Sequence, residues 1–242
     1  FCLLGSGARS VTAALLNDSA SSIRPEYILT GDSLSANIMF AFVNAAPLGL
    51  YAGVYNEDVC RVLLSGDEQY RREARMRHGF RCDAIATSVL EYARALRVRK
   101  VFVAGRFSHE SNARTLPADL AYTLAAFAQH GIYLYMVQQA PIQKYVVMQM
   151  YARLQRDGRL TEDSIRQWSV SRAERTLEQA LVERAVSMHK NNSLFTFVRL
   201  DDFMCDESVC PFGDLRQPFY TDTHHLHRAY AATLQKFFMK FL

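Results

Sequence analysis

The sequence predicts an α/β fold built on a parallel sheet, and three observations carry that expectation. Short runs rich in β-branched and aromatic residues alternate with amphipathic stretches of helical period. Those runs are nearly continuous in hydrophobicity, as strands buried on both faces are. The 242 residues, 50% of them hydrophobic and 21% charged, suffice for one substantial core.

Five runs are strand candidates: Tyr27–Thr30, Leu50–Tyr55, Lys100–Ala104, Ile132–Gln138 and Leu194–Leu200. A mostly apolar helix is expected over Ser33–Ala46, stopped before Pro47. Cys82–Leu96 has helical spacing, with Ile85, Val89, Tyr92 and Leu96 on one face. Leu116–Gln129 reads as a helix closed by Gly131. Glu162–Met188 is a long helical region with room for a break, laced by Glu174 and Glu178 against Arg172, Arg175 and Arg184. His224–Phe241 reads as a terminal amphipathic helix. With no repeat and no low-complexity linker, a single domain over residues 1–242 is expected.

A net charge of +4 is slight, and the Arg run at residues 71–77 is interrupted by Glu73, so it reads as a solvated helix face. No nucleic-acid partner is expected. The longest apolar stretch, Ala36–Val54, contains Asn37, Asn44, Pro47 and Gly49 and lacks basic flanks, which suits a buried helix and strand better than a membrane span. No signal peptide is visible. The chain opens on Phe1 without an initiator Met, so it is expected to be a domain excised from a longer protein.

Cys205 and Cys210 are near neighbours in a loop-like stretch, and Cys60 and Cys82 bracket a polar segment. Two disulfides, Cys60–Cys82 and Cys205–Cys210, fit an oxidising compartment, with Cys2 left over. Five reduced thiols in a reducing compartment are the alternative.

Chemistry concentrates in two places. In YILTGDSLSAN (27–37) a strand ends, Gly31 turns the chain, and Ser33 stands where a helix begins. A hydroxyl there meets free backbone N–H groups that can hold an oxyanion, although Ser is equally a favoured helix cap. In FYTDTHHLHRAYA (219–231), Asp222 and His225 are spaced so that one turn presents an imidazole and a carboxylate orients it. A serine hydroxyl needs such a base to become a nucleophile. His224 and His227 compete for that role, and Asp222 with these histidines makes a metal conceivable. Ligands adjacent in one turn rarely converge on one ion, so neither metal nor other cofactor is expected.

GDSL at 31–34 and DTHHL at 222–226 resemble the first and last motif blocks of SGNH/GDSL hydrolases. The layout is most similar to the periplasmic SGNH domain fused to membrane acyltransferase-3 proteins, which O-acetylate bacterial surface glycans. FCLLG, VFVAGRF (101–107), YMVQQAP (135–141) and MCDESVC (204–210) fall in the matching order. The resemblance implies a three-layer α/β/α fold with five parallel strands in the order 2-1-3-4-5. It implies Ser33 as nucleophile, His225 as base, Asp222 as the group fixing its tautomer, and the Ser33 N–H as an oxyanion donor. It implies a glycan acceptor, an acyl donor and a membrane-embedded acyltransferase domain in the same chain, with this domain periplasmic and tethered to the inner membrane. A carbohydrate or lipid O-acetylesterase is the alternative, and an inactive glycan- or partner-binding domain another. Departures motivate the last: Leu34 stands in place of His, and His227 where the family has Ser. No clear match exists for two oxyanion donors. Gly53 lies inside its strand, and Arg106 and Asn112 are the candidates for the third donor.

Overall fold

The strands are Cys2–Leu4 (β1), Tyr27–Gly31 (β2), Gly49–Gly53 (β3), Lys100–Ala104 (β4), Tyr133–Val137 (β5), Val170–Ser171 (β6), Phe195–Val198 (β7) and Val209–Cys210 (β8). They come from a computed structural model that describes residues 2–4, 25–42, 49–53, 63–66, 82–109 and 113–242. Six of them form one sheet in the order β1-β3-β2-β4-β5-β7. The strands β3-β2-β4-β5-β7 are all parallel, which is the order expected. The addition is β1, which pairs antiparallel with β3 at the sheet edge.

Side chains alternate across this sheet although the strands read as unbroken apolar runs. Tyr27, Leu29, Phe102, Ala104 and Val137 enter one core, while Ile28, Val101, Val103, Leu134 and Met136 enter the other. The second core is covered by Cys82–Ala95 (α2), Leu116–Ala128 (α3) and Arg172–Ser187 (α6). The first is covered by the helices Ser33–Ile38 (α1), Val147–Arg156 (α4), Glu162–Trp168 (α5), Arg228–Thr233 (α8) and Gln235–Phe238 (α9). The remaining helix, Asp201–Met204 (α7), follows β7. The result is three layers.

Several element limits differ from expectation for local reasons. Helix α1 ends at Ile38 and continues as one 3-10 turn, Met39–Ala41. The long helical region is broken at Ser169, whose hydroxyl donates to the Ile165 carbonyl at 2.6 Å and accepts the Phe212 N–H at 3.1 Å. There β6 pairs with β8, and a Ser171–Glu174 capping box starts α6. The terminal helix begins at Arg228 rather than His224, which frees residues 222–227 to form a loop. Helix α4 was not anticipated; it buries Val147, Tyr151 and Leu154 along one stripe. Cys205 and Cys210 are disulfide-bonded. The Cys60–Cys82 pairing and the Arg run at 71–77 lie outside the described residues, as does Asn112. Among the described residues no helix is long and apolar enough to cross a membrane.

Candidate active site

The chain leaves β2 for β3 on one side and later returns to β4 on the other, so the carboxyl end of β2 is the topological switch point where ligands of open α/β sheets bind. Gly31 ends that strand with φ +147°, and a Cβ on it would lie 1.7 Å from the Ala104 carbonyl oxygen. Only glycine lets β2 turn so close to β4.

Asp32 follows as the cap of α1. Its Oδ1 accepts the Leu34 N–H and its Oδ2 the Arg106 N–H, each at 2.9 Å. One carboxylate therefore ties the turn after β2 to the loop after β4. Burial pushes the Asp32 carboxyl above the usual range, against the pull of those two N–H groups and of the nearby His225 and Arg106.

Ser33 is the first residue of α1, and the Asp32 side chain caps the Leu34 N–H rather than that of Ser33. Ser33 Oγ lies 2.9 Å from His225 Nε2, and His225 Nδ1 lies 2.6 Å from Asp222 Oδ2. Asp222 Oδ1 accepts the N–H groups of His224 and His225, both at 2.8 Å. Burial alone would raise the Asp222 carboxyl, but these N–H donors and the His225 ring hold it below the ordinary range. An ionised Asp222 keeps the imidazole proton on Nδ1, which leaves Nε2 to accept from the Ser33 hydroxyl.

The turn that carries these groups is pinned from several sides. Tyr220 and Leu226, both buried, form an isolated antiparallel bridge across it. The Thr221 N–H donates to the His225 carbonyl at 2.8 Å. From the segment before α4, Gln143 N–H donates to the Thr223 carbonyl at 2.7 Å, and from the first residue of α4, Val147 N–H donates to the Asp222 carbonyl at 3.1 Å.

Of the three histidines in the motif, His225 is the one bonded to Ser33. His224 Nδ1 pairs with Thr223 Oγ1 at 2.9 Å, and burial, with His225 beside it, holds its pKa down. His227 caps α8. Ligand atoms of Asp222, His224 and His225 lie within 4.8 Å of one another. They are committed, however: Asp222 Oδ2 to His225, its Oδ1 to backbone, and His224 Nδ1 to Thr223. A metal there would have to break the Asp222–His225 bond.

Arg106 stands at the same sheet edge as Ser33, its N–H committed to Asp32 and its charge felt by Asp32 and His224. Gly53 ends β3 level with Gly31. The loop bearing Arg106 is held by a polar cluster that includes Arg175 and Glu178, two of the residues expected to lace the long helical region. Arg175 is in fact only 1% exposed, and its guanidinium binds Asp201 at 3.0 Å, Glu178 at 2.9 Å and the Gln139 carbonyl. Ser108 Oγ lies 2.9 Å from Glu178 Oε1 and 3.0 Å from Gln139 Oε1. The signal was present in Glu178, one turn from Arg175, but burial is a tertiary property. Leu34 is buried and lines a narrow cavity beside His224, Gly105 and Gln139, about 10 Å³, enough for one water-sized group.

The fold is shared with the periplasmic domain of a lipopolysaccharide acetyltransferase from Salmonella ser. Paratyphi A. The two match with a TM-score of 0.66 over 96% of this chain and 88% of that one, at 10% sequence identity. No curated protein shows a significant sequence match. The family model described as the SGNH domain fused to AT3 domains matches residues 2–240. By that match over nearly its whole length, the chain belongs to the SGNH domain family found fused to AT3 domains.

Proposed function

We propose that the protein is an O-acyltransferase domain that moves an acetyl group through Ser33 onto a bacterial cell-surface glycan. The observation that carries the reading is the hydrogen-bonded row Ser33 Oγ–His225 Nε2 and His225 Nδ1–Asp222 Oδ2, at 2.9 and 2.6 Å. Family membership supports a membrane acyltransferase domain in the same protein as the source of the acyl group. The setting is periplasmic, tethered to the inner membrane; the Cys205–Cys210 disulfide fits it.

Ser33 Oγ attacks the carbonyl carbon of the acyl donor while its proton passes to His225 Nε2. Asp222 holds the ring and stabilises the imidazolium. The Ser33 N–H, at the positive end of α1, faces the developing oxyanion, and the Arg106 charge adds to that field. Collapse breaks the bond to the donor, whose leaving group takes the proton from His225. A glycan hydroxyl then attacks the acyl-serine, gives its proton to His225, and Ser33 regains it on release. Asn112 remains a further candidate for the oxyanion.

Hydrolysis by the same steps, with water as acceptor, is favoured by the openness of the row: the side chains of His225 and Asp222 are 24% and 40% exposed. Release of p-nitrophenol from its acetate tests the shared chemistry. Wild type is expected to exceed Ser33→Ala by about 10³-fold or more. Equal rates would leave only a binding domain.

A further inference from the structure

A second concavity, about 240 Å³, lies at the opposite edge of the sheet. Arg94 reaches it from the last turn of α2, Arg97 and Arg99 from the connection into β4, and His130 from the connection into β5. These connections feed the amino ends of β4 and β5, whereas Ser33 and Arg106 follow the carboxyl ends of β2 and β4. The lining holds three arginines and a histidine, with Val98 and Ile132 among its apolar members, and no carboxylate. Among the described residues, Arg94, Arg97 and Arg99 form no ion pair with an acid.

Two features make this more than a chance gathering of surface charge. Arg99 Nη1 donates to the carbonyls of His130 and Gly131, which fixes its guanidinium against the wall and leaves Nε and Nη2 outside those bonds. Arg97 has φ +57°, the one non-glycine residue with positive φ among those described. It closes α2 in a Schellman turn, with Val98 N–H to the Ala93 carbonyl at 2.8 Å and Arg97 N–H to the Arg94 carbonyl at 3.2 Å. Glycine is the residue that position favours, so an arginine is held there against the local steric preference.

We propose that this concavity binds a phosphate group, gripped by Arg94, Arg97 and Arg99 with His130 at the rim. Three forked guanidinium groups offer more donors than one carboxylate can accept, and they match a tetrahedral, multiply charged oxyanion. Free phosphate and the phosphate of an anionic phospholipid share that chemistry.

Arg97→Gly is the informative variant, because it removes the guanidinium while giving the αL position its preferred residue. Calorimetric titration of the full chain with inorganic phosphate, at constant ionic strength, and flotation with phosphatidylglycerol-containing against pure phosphatidylcholine vesicles separate the two sources. The wild type is expected to bind one of these probes, with Arg97→Gly at least about tenfold weaker for that probe. Arg94→Gln, at an exposed position of α2, repeats the measurement should the first variant fold poorly. Hydrolysis of p-nitrophenyl acetate stays at the wild-type rate in both variants. A wild type that binds neither probe, or variants that bind as tightly as the wild type, overturns the proposal.

Discussion

At the residue scale the site depends on the two oxygens of Asp222 doing different jobs. Oδ1 takes two backbone N–H groups and fixes the turn, while Oδ2 takes the imidazole proton. Asp222→Asn separates them. The amide oxygen still serves the backbone, but the NH₂ meets His225 Nδ1 and drives the ring proton to Nε2, where Ser33 must donate. The rate on p-nitrophenyl acetate should fall roughly 10³- to 10⁴-fold with the thermal midpoint nearly unchanged. A large drop in thermal midpoint instead would give Asp222 a mainly structural part. Asp32 works in the same divided way between Leu34 and Arg106, and nothing in the GDSL motif by itself says so.

At the element scale, what could be read in advance was whatever local sequence decides. The Lys100–Ala104 strand was read to the residue, because a β-branched run between turns has one reading. GDSL and DTHHL were legible because turn chemistry and spacing sit within a few residues. Helix α4 was not, nor was the place of the break left open in the long helical region, since that break is fixed at Ser169 by Phe212 and β8, far along the chain. Oxyanion donors beyond the Ser33 N–H were illegible for a related reason: backbone N–H groups leave no trace in side-chain identity. The capping box of α6 carries its own test. Bonds from the Ser171 hydroxyl and N–H, then Lys144, lower the Glu174 carboxyl from 4.5 to about 2. Its folded pKa is depressed, so its contribution is whole above about 4.5 and is lost as pH falls toward 2. Urea midpoints measured at neutral and strongly acidic pH should therefore drop less in Glu174→Gln than in the wild type. Parallel losses in the two proteins would remove Glu174 from the acid response.

At the scale of the whole molecule, one sheet separates the two proposed sites by its polarity. Carboxyl ends gather the Ser33 row and amino ends gather the arginine concavity, so substitutions at one edge should leave the other alone. The row itself closes a sequence separation of 192 residues between Ser33 and His225. Contacts of that span form late, because loop closure must precede any reward from them. During refolding, esterase activity should return together with or after the fluorescence change of Trp168, the sole tryptophan. Activity returning first would contradict this order. On the proposed mechanism a growing chain stays inert until His225 has been brought to Ser33. By the same mechanism, a serine able to modify the wrong hydroxyl lacks its base until the far end of the chain has folded beside it.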